Sequence, residues 1–411
     1  MKKHSYMSFI LPAIAMVLTC SCDKIGADNR EEYKEYESIT LTKAEQKVAD
    51  ATNAFGWEAY HTLYEDKQVL VSPLSLSLAF SMTAIGADGN TAAEMRSTLG
   101  FEGCSTEDMN SFYQKMVSAL DDIDSRTTFE VANSIWASQD IRVKHTFIEA
   151  AEEYYDSEVM TVDFRKKSTL KEINGWCSDN THGKIKKILD ELDPSTKMAL
   201  INALYFNGEW AYEFDAETDK GSFTTIGGSS TKVDMMNLHA GLDYAEYDGY
   251  RMVTLPYGNG AFSMSVLLPE EGVSFKEEAA GLDAEVWAGL LSASKGTEVV
   301  VKLPKFSFEY ETGLKDALLA MGMKDAFNPD RADFSGISDT PLFISEAKQK
   351  TFIDVNTKGT EAAAITYIGI LATSIGPDEA QPVVFTADRP FMFVIHEKST
   401  GAILFIGQKV S

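Results

Sequence analysis

The chain has 411 residues with 44% apolar content, enough to bury a sizeable core as one large domain or two average ones, and no Pro/Gly/Ser linker divides it. With 62 acidic against 37 basic residues its formal charge is −25, which argues against a phosphate-backbone partner and favours a soluble, self-repelling exterior.

In chain order, Lys2 and Lys3 precede the apolar run 9–18, which holds Pro12 and is too short to span a bilayer comfortably, so residues 1–21 read as an export signal. Thr19-Cys20-Ser21-Cys22 then resembles a bacterial lipobox, with Cys22, or alternatively Cys20, as the lipidated residue. Residues 22–40 are polar and charge-dense, which suits a flexible tether from a membrane anchor to a single domain over 41–411. Localisation at an outer membrane or cell surface, or in the periplasm, follows.

Helices are predicted near 44–64, from Pro73 to about 85, and over 91–99, 106–120, 146–156 and 170–180. Strands are predicted at 69–71, 129–138 and 197–206 and, as one long strand with mixed faces, 342–355. Tyr257-Gly258-Asn259-Gly260-Ala261 marks a hairpin between strands 252–256 and 262–269, because Asn and Gly accept positive φ. A second hairpin joins 391–395 to 403–406. The result is an α+β chain without repeats. Cys104 and Cys177 have no metal-ligand spacing and read as small buried residues, with a disulfide between them left open in an exported chain. There is no Gly-x-Ser-x-Gly elbow, Walker loop, His-Glu-x-x-His helix, paired-cysteine zinc pattern or dinucleotide fingerprint. No enzyme activity, cofactor or metal is expected.

The stretch from Lys358 to Ile368 suits two conformations. Glu361 with Ala362, Ala363 and Ala364 favours helix, whereas Ile365, Thr366 and Tyr367 favour strand. Read with period two, Thr360, Ala362, Ala364, Thr366 and Ile368 share one face and Glu361 lies on the other, where it can stay wet. Placed between a long strand and Phe385-Thr386-Ala387-Asp388-Arg389-Pro390-Phe391, this segment closely resembles the hinge, reactive loop and C-terminal signature of the serpins. The resemblance extends to Val71-Ser72-Pro73-Leu74-Ser75, Ile201-Asn202-Ala203-Leu204-Tyr205-Phe206-Asn207-Gly208-Glu209-Trp210 and Val301-Lys302-Leu303-Pro304-Lys305-Phe306, in family order.

The resemblance implies the serpin fold: three β-sheets, eight or nine helices and an exposed reactive loop, here about 357–384. It implies a suicide inhibitor of serine endopeptidases whose cleaved loop inserts into the central sheet. The hinge would be Gly359, Thr360, Glu361, Ala362, Ala363 and Ala364, and the scissile bond Thr373–Ser374, alternatively Ala372–Thr373. The cluster controlling strand parting would be Ser72, Ser75, Asn202 and Gln349, with Gln349 where the family usually has histidine. At the top of the sheet lie Trp210, Lys305 and Thr357, with Thr357 where the family usually has a glutamate paired to the lysine. Small residues before the bond suit elastase-like or subtilisin-like targets; Leu371 could instead serve a papain-like cysteine protease. A non-inhibitory carrier lipoprotein is the further alternative. The expected partner is the protease, with the membrane reached only through a lipid, and the expected state is monomeric.

Overall fold

The computed structural model describes residues 34–360 and 381–411. A capping box opens α1 (Lys43–Thr62): the Glu45 N–H donates to Thr42 Oγ1, and the Thr42 N–H donates to the Glu45 carboxylate. After β1 (Val69–Val71), Pro73 takes the first position of α2 (Pro73–Ala84), where its missing N–H is not needed. Every residue of α2 is buried, so this helix has no wet face and lies wholly within the core. Helices α3 (Gly89–Thr98) and α4 (Thr106–Asp122) lead to β2 (Thr127–Ser138), then α5 (His145–Tyr155), β3 (Ser157–Val162), α6 (Lys167–Asp179) and β4 (Met198–Glu209). The middle of the chain supplies β5 (Asp219–Thr224), β6 (Ser230–Tyr247), β7 (Tyr250–Pro256), β8 (Phe262–Pro269), α7 (Phe275–Gly281), α8 (Ala284–Ala293), β9 (Lys295–Pro304), β10 (Phe306–Gly313) and α9 (Lys315–Ala320). The remaining strands are β11 (Glu346–Val355), β12 (Gly359–Thr360), β13 (Val383–Thr386), β14 (Phe391–Glu397) and β15 (Ile403–Lys409).

The central sheet has six strands in the order β10-β11-β12-β4-β2-β3, and β11 also pairs directly with β4. A nine-stranded sheet runs β1-β15-β14-β8-β7-β6-β9-β13, with β5 added on β6. The expected third sheet is the β5, β6, β9 and β13 end of this larger one. It is continuous because β6 is 18 residues long and pairs with β9 along 235–244 and with β7 along 243–247. Both expected hairpins form, the first with positive φ at Gly258 (46°) and Gly260 (87°). Strand 342–355 is shorter than expected. Leu342 and Ile344 are buried in coil, where the Ile344 N–H donates to Ala326 O, and the ladder begins at Glu346.

The main core lies between the two sheets and around α1, α2 and α4. A second cluster holds α6 and the 180–196 connection against the outer face of the central sheet, over Trp136, Ala199, Ile201 and Ala203. Cys104 is buried in the main core and Cys177 in the outer cluster, and both are free thiols, so the disulfide left open is not formed. The described part of the expected tether, 34–40, lies against the body. Asn259 Nδ2 donates to Lys34 O (3.1 Å), Lys34 Nζ pairs with Asp122 (2.7 Å), and the Ile39 N–H donates to Ser399 Oγ (2.9 Å).

Candidate functional site

The candidate site is the seam between β11 and β4. At its lower end the two strands pair in parallel, Glu346–Lys350 against Ala199–Ala203. Above that, 351–354 and 204–207 do not pair with each other. At the top the two-residue β12 lies between them, antiparallel to both: Thr360 pairs with Val355 and Gly208, and Gly359 pairs with Glu209. Among the described residues the seam is therefore closed below, without pairing in the middle and parted above by β12.

Packing explains why Gly359 and Thr360 occupy the wedge. A Cβ on Gly359 would come within 2.0 Å of Gly208 O, so only glycine passes between the strands there. Thr360 is 1% exposed, and its hydroxyl meets the Tyr257 hydroxyl at 2.6 Å. Tyr257 stacks on Trp210, with ring centroids 4.3 Å apart and planes at 12°. Burial pushes the Tyr257 phenol far above its ordinary range, so it keeps its proton and remains a donor. Trp210 Nε1 donates to Asn356 O and its backbone N–H to Lys358 O, each at 2.9 Å, which pins the turn before the hinge. Thr357 contributes only its carbonyl, which accepts from the Phe214 N–H. Lys305 precedes the Phe306–Val355 pair at the same end of the sheet, is exposed, and makes no salt bridge among the described residues. An uncharged Thr357 offers it none.

At the lower end the structure brings Ser72, Ser75, Asn202 and Gln349 together. Gln349 Oε1 accepts from the Ser72 N–H (3.3 Å), Gln349 Nε2 donates to Asn202 Oδ1 (2.9 Å), and Asn202 Nδ2 donates to Ser75 Oγ. Gln349, Ser72 and Ser75 are 0% exposed and Asn202 2%, so these bonds have no competing water and hold β11 to β4 and to the start of α2. Two further members escaped the sequence reading. Asn133 accepts from Asn202 Nδ2 (2.5 Å) because the β2–β4 register sets them opposite each other, and Thr351 Oγ1 donates to Leu70 O (3.0 Å). An inward Asn in the 129–138 strand was the available signal for the first. In the sequence Tyr257 marks only a hairpin, and nothing local points to its contact with Thr360, 103 positions away.

Glu361, Ala362, Ala363, Ala364, Ala372, Thr373, Ser374, Cys20 and Cys22 lie outside the described residues. Among the described residues no group of three or more His, Cys, Asp or Glu could hold a metal, and no helix is long and apolar enough to cross a membrane.

Residues 50–411 match a family model described as Serpin (serine protease inhibitor). An uncharacterised serpin-like protein of Methanosarcina acetivorans is 35% identical over 372 residues, 89% of this chain and 86% of the relative. Intracellular coagulation inhibitor 2 of Tachypleus tridentatus is 36% identical, over 89% of this chain and 91% of the relative. Among solved structures, the thermophilic serpin tengpin in its native state superposes with a TM-score of 0.82 at 34% identity, over 92% of this chain and 97% of that one.

Proposed function

Because the chain belongs to the serpin family, we propose that it is a single-use inhibitor of serine endopeptidases with small or aliphatic primary specificity, elastase-like or subtilisin-like, trapping them by inserting its cleaved loop into the seam. The observation that carries this reading is that Gly359 and Thr360 already pair with both flanking strands. Continuing those pairs downward places Ala362 between Ile353 and Phe206, Ala364 between Thr351 and Leu204, Thr366 between Gln349 and Asn202, and Ile368 between Ala347 and Leu200. The closed lower pairs have the same strand-to-strand offset, so insertion requires β11 and β4 to part without sliding.

Cost varies along this path. Residues 361–364 enter an interval where β11 and β4 have no ladder between them to break, and the small Ala362, Ala363 and Ala364 need little displacement. From Ile365 to Gly369 each step separates a parallel pair, and Thr366 must displace the Gln349–Asn202 bond on the face that packs against the start of α2. New ladder hydrogen bonds, each worth about 0.5–1.5 kcal/mol, drive the process. After cleavage at Thr373–Ser374, about 14 inserted residues at ~3.3 Å each carry an acylated protease on the order of 45 Å. Distortion of the protease site stalls deacylation, since even a ~1 Å misplacement is costly to chemistry. Inhibition succeeds when insertion outruns hydrolysis.

The test is incubation with an elastase, a subtilisin, a trypsin and a papain, followed by denaturing electrophoresis. A stable adduct with the first two, and its loss in Thr360→Arg with cleavage retained, is the expected result. An adduct that persists in Thr360→Arg would refute the hinge mechanism, adduct with papain alone would reassign the target class, and cleavage without adduct by every protease would favour a carrier role. Export with lipidation at Cys22 or Cys20 belongs to the same proposal. Incorporation of labelled fatty acid that is lost only when both cysteines are replaced would support it, and incorporation unaffected by the double change would sink it.

A further inference from the structure

On the far side of β4 from the seam, β3 runs beside β2 only from Asn133 to Ser138, while β4 covers the other side of β2 from Thr127 to Ala137. Between Thr128 and Ala132, alternate residues turn their N–H and C=O groups toward an edge that no strand among the described residues occupies. A cavity of about 490 Å³ lies beside that edge and is lined by the consecutive residues Phe129, Glu130, Val131 and Ala132. Successive strand residues face opposite ways, so a cavity touching all four abuts the backbone edge rather than one face of the sheet. A second hollow of about 230 Å³ shares Val131 and Ala132 and continues toward Trp176.

The walls mix Leu74 and Leu78 from α2, Val117 and Leu120 from α4 and Tyr154 from α5 with the polar Gln114, Ser118 and Asn180. The rim is acidic, with Asp121, Glu152, Glu153 and Asp156 all exposed, and no Lys, Arg or His lines the cavity. Glu130 is already engaged by His182 Nε2 at 2.9 Å. A free strand edge, a trough of mixed apolar and polar side chains along it and uncompensated negative charge at its mouth call for one kind of occupant. The chain's own residues 361–380 carry Glu361, Asp378 and Glu379 and no Lys or Arg, and a second copy brings a net charge of −25, so both are disfavoured by charge.

We propose that this edge of β2 is a strand-addition site for an extended segment of a partner protein in which apolar residues alternate with Lys or Arg. The free edge accommodates five or six residues, roughly 17–20 Å. The site is separate from the inhibitory seam and does not rest on that reading.

The probe is an acetylated, amidated hexapeptide alternating Val and Lys, titrated calorimetrically into the full chain at low salt. Micromolar binding is expected, weakened about ten-fold or more by N-methylation of alternate residues, which removes ladder hydrogen bonds and keeps the charge. The doubly exposed change Glu152→Lys with Glu153→Lys should weaken it about ten-fold as well, and replacing Lys by Glu in the peptide should abolish it. Hydrogen exchange should slow at 128–132. Protection instead at 204–207 and 351–355 would place the peptide in the seam and overturn the proposal. Undiminished binding of the N-methylated peptide, indifference to the charge reversals, or no binding at millimolar peptide would overturn it too. Peptide-free dimerisation that the double variant abolishes would assign the edge to a second copy.

Discussion

His396 shows how one buried side chain ties stability to pH. It is 6% exposed, edge-on to the Trp287 ring with centroids 5.2 Å apart, and its Nε2 meets Ser265 Oγ at 3.1 Å. Burial pushes its pKa down from 6.5 to about 4, so the fold holds the neutral imidazole. A depressed folded value means that the unfolded chain takes up the proton first as pH falls. The contribution is therefore complete above about 6.5 and is lost down to about 4, on the order of 3 kcal/mol in all. His396→Gln should lose less in its thermal midpoint than the parent between pH 7 and 4.5, and parallel curves for the two would contradict this. At the top of the seam, Lys305 makes no salt bridge among the described residues and Thr357 cannot supply one. Thr357→Glu should raise the midpoint modestly, by the ~0–1 kcal/mol of an exposed pair, and an unchanged midpoint would count against weak closure of the sheet top. Gln349 occupies the usual histidine position and makes its bonds as an amide, so the lower cluster itself has no group that titrates between pH 5 and 8.

Among the elements, β12 is tightly constrained. Its described residues, Gly359 and Thr360, meet β11 on one side and β4 on the other, and Gly359 leaves no room for a Cβ against Gly208 O. Gly359→Ala should displace the hinge start, at a cost of about 1–3 kcal/mol as for overpacking elsewhere. Because the inserted strand would keep the same register, the clash persists after insertion, so the variant should be cleaved at the normal rate while forming less adduct. Equal adduct yield in a stoichiometry titration would rule this out. The elements that were legible carry local signals: Pro73 at a helix start, and Asn259 between two glycines in a turn. The long strand read over 342–355 fell short because Leu342 and Ile344 are apolar for burial in coil, and apolarity alone does not distinguish a ladder from a packed loop.

At the scale of the whole molecule, the seam is an incomplete sheet. Below it the ladder is closed, above it a wedge is in place, and between them four residues on each strand are unpaired with each other. On the inhibitory proposal, a loop able to fill that interval would leave the intact protein short of its lowest free energy, held there kinetically. Cleavage near Thr373 should accordingly raise the thermal midpoint, by roughly 10–20 °C if about ten new ladder bonds form. Scanning calorimetry before and after limited proteolysis checks this, and an unshifted transition would remove the driving force on which the inhibitory reading depends. By itself the sequence determined the α+β class, the family, the hinge composition and the identities of Ser72, Ser75, Asn202, Gln349 and Trp210, because short-range propensities and motif order are written along the chain. Tertiary structure alone decided that Tyr257 holds Thr360, that Asn133 joins the lower cluster, that β6 fuses two expected sheets, and that part of β2 has an edge no strand among the described residues covers. Each of these depends on register and close approach between segments up to 103 residues apart, which no local pattern of side chains encodes.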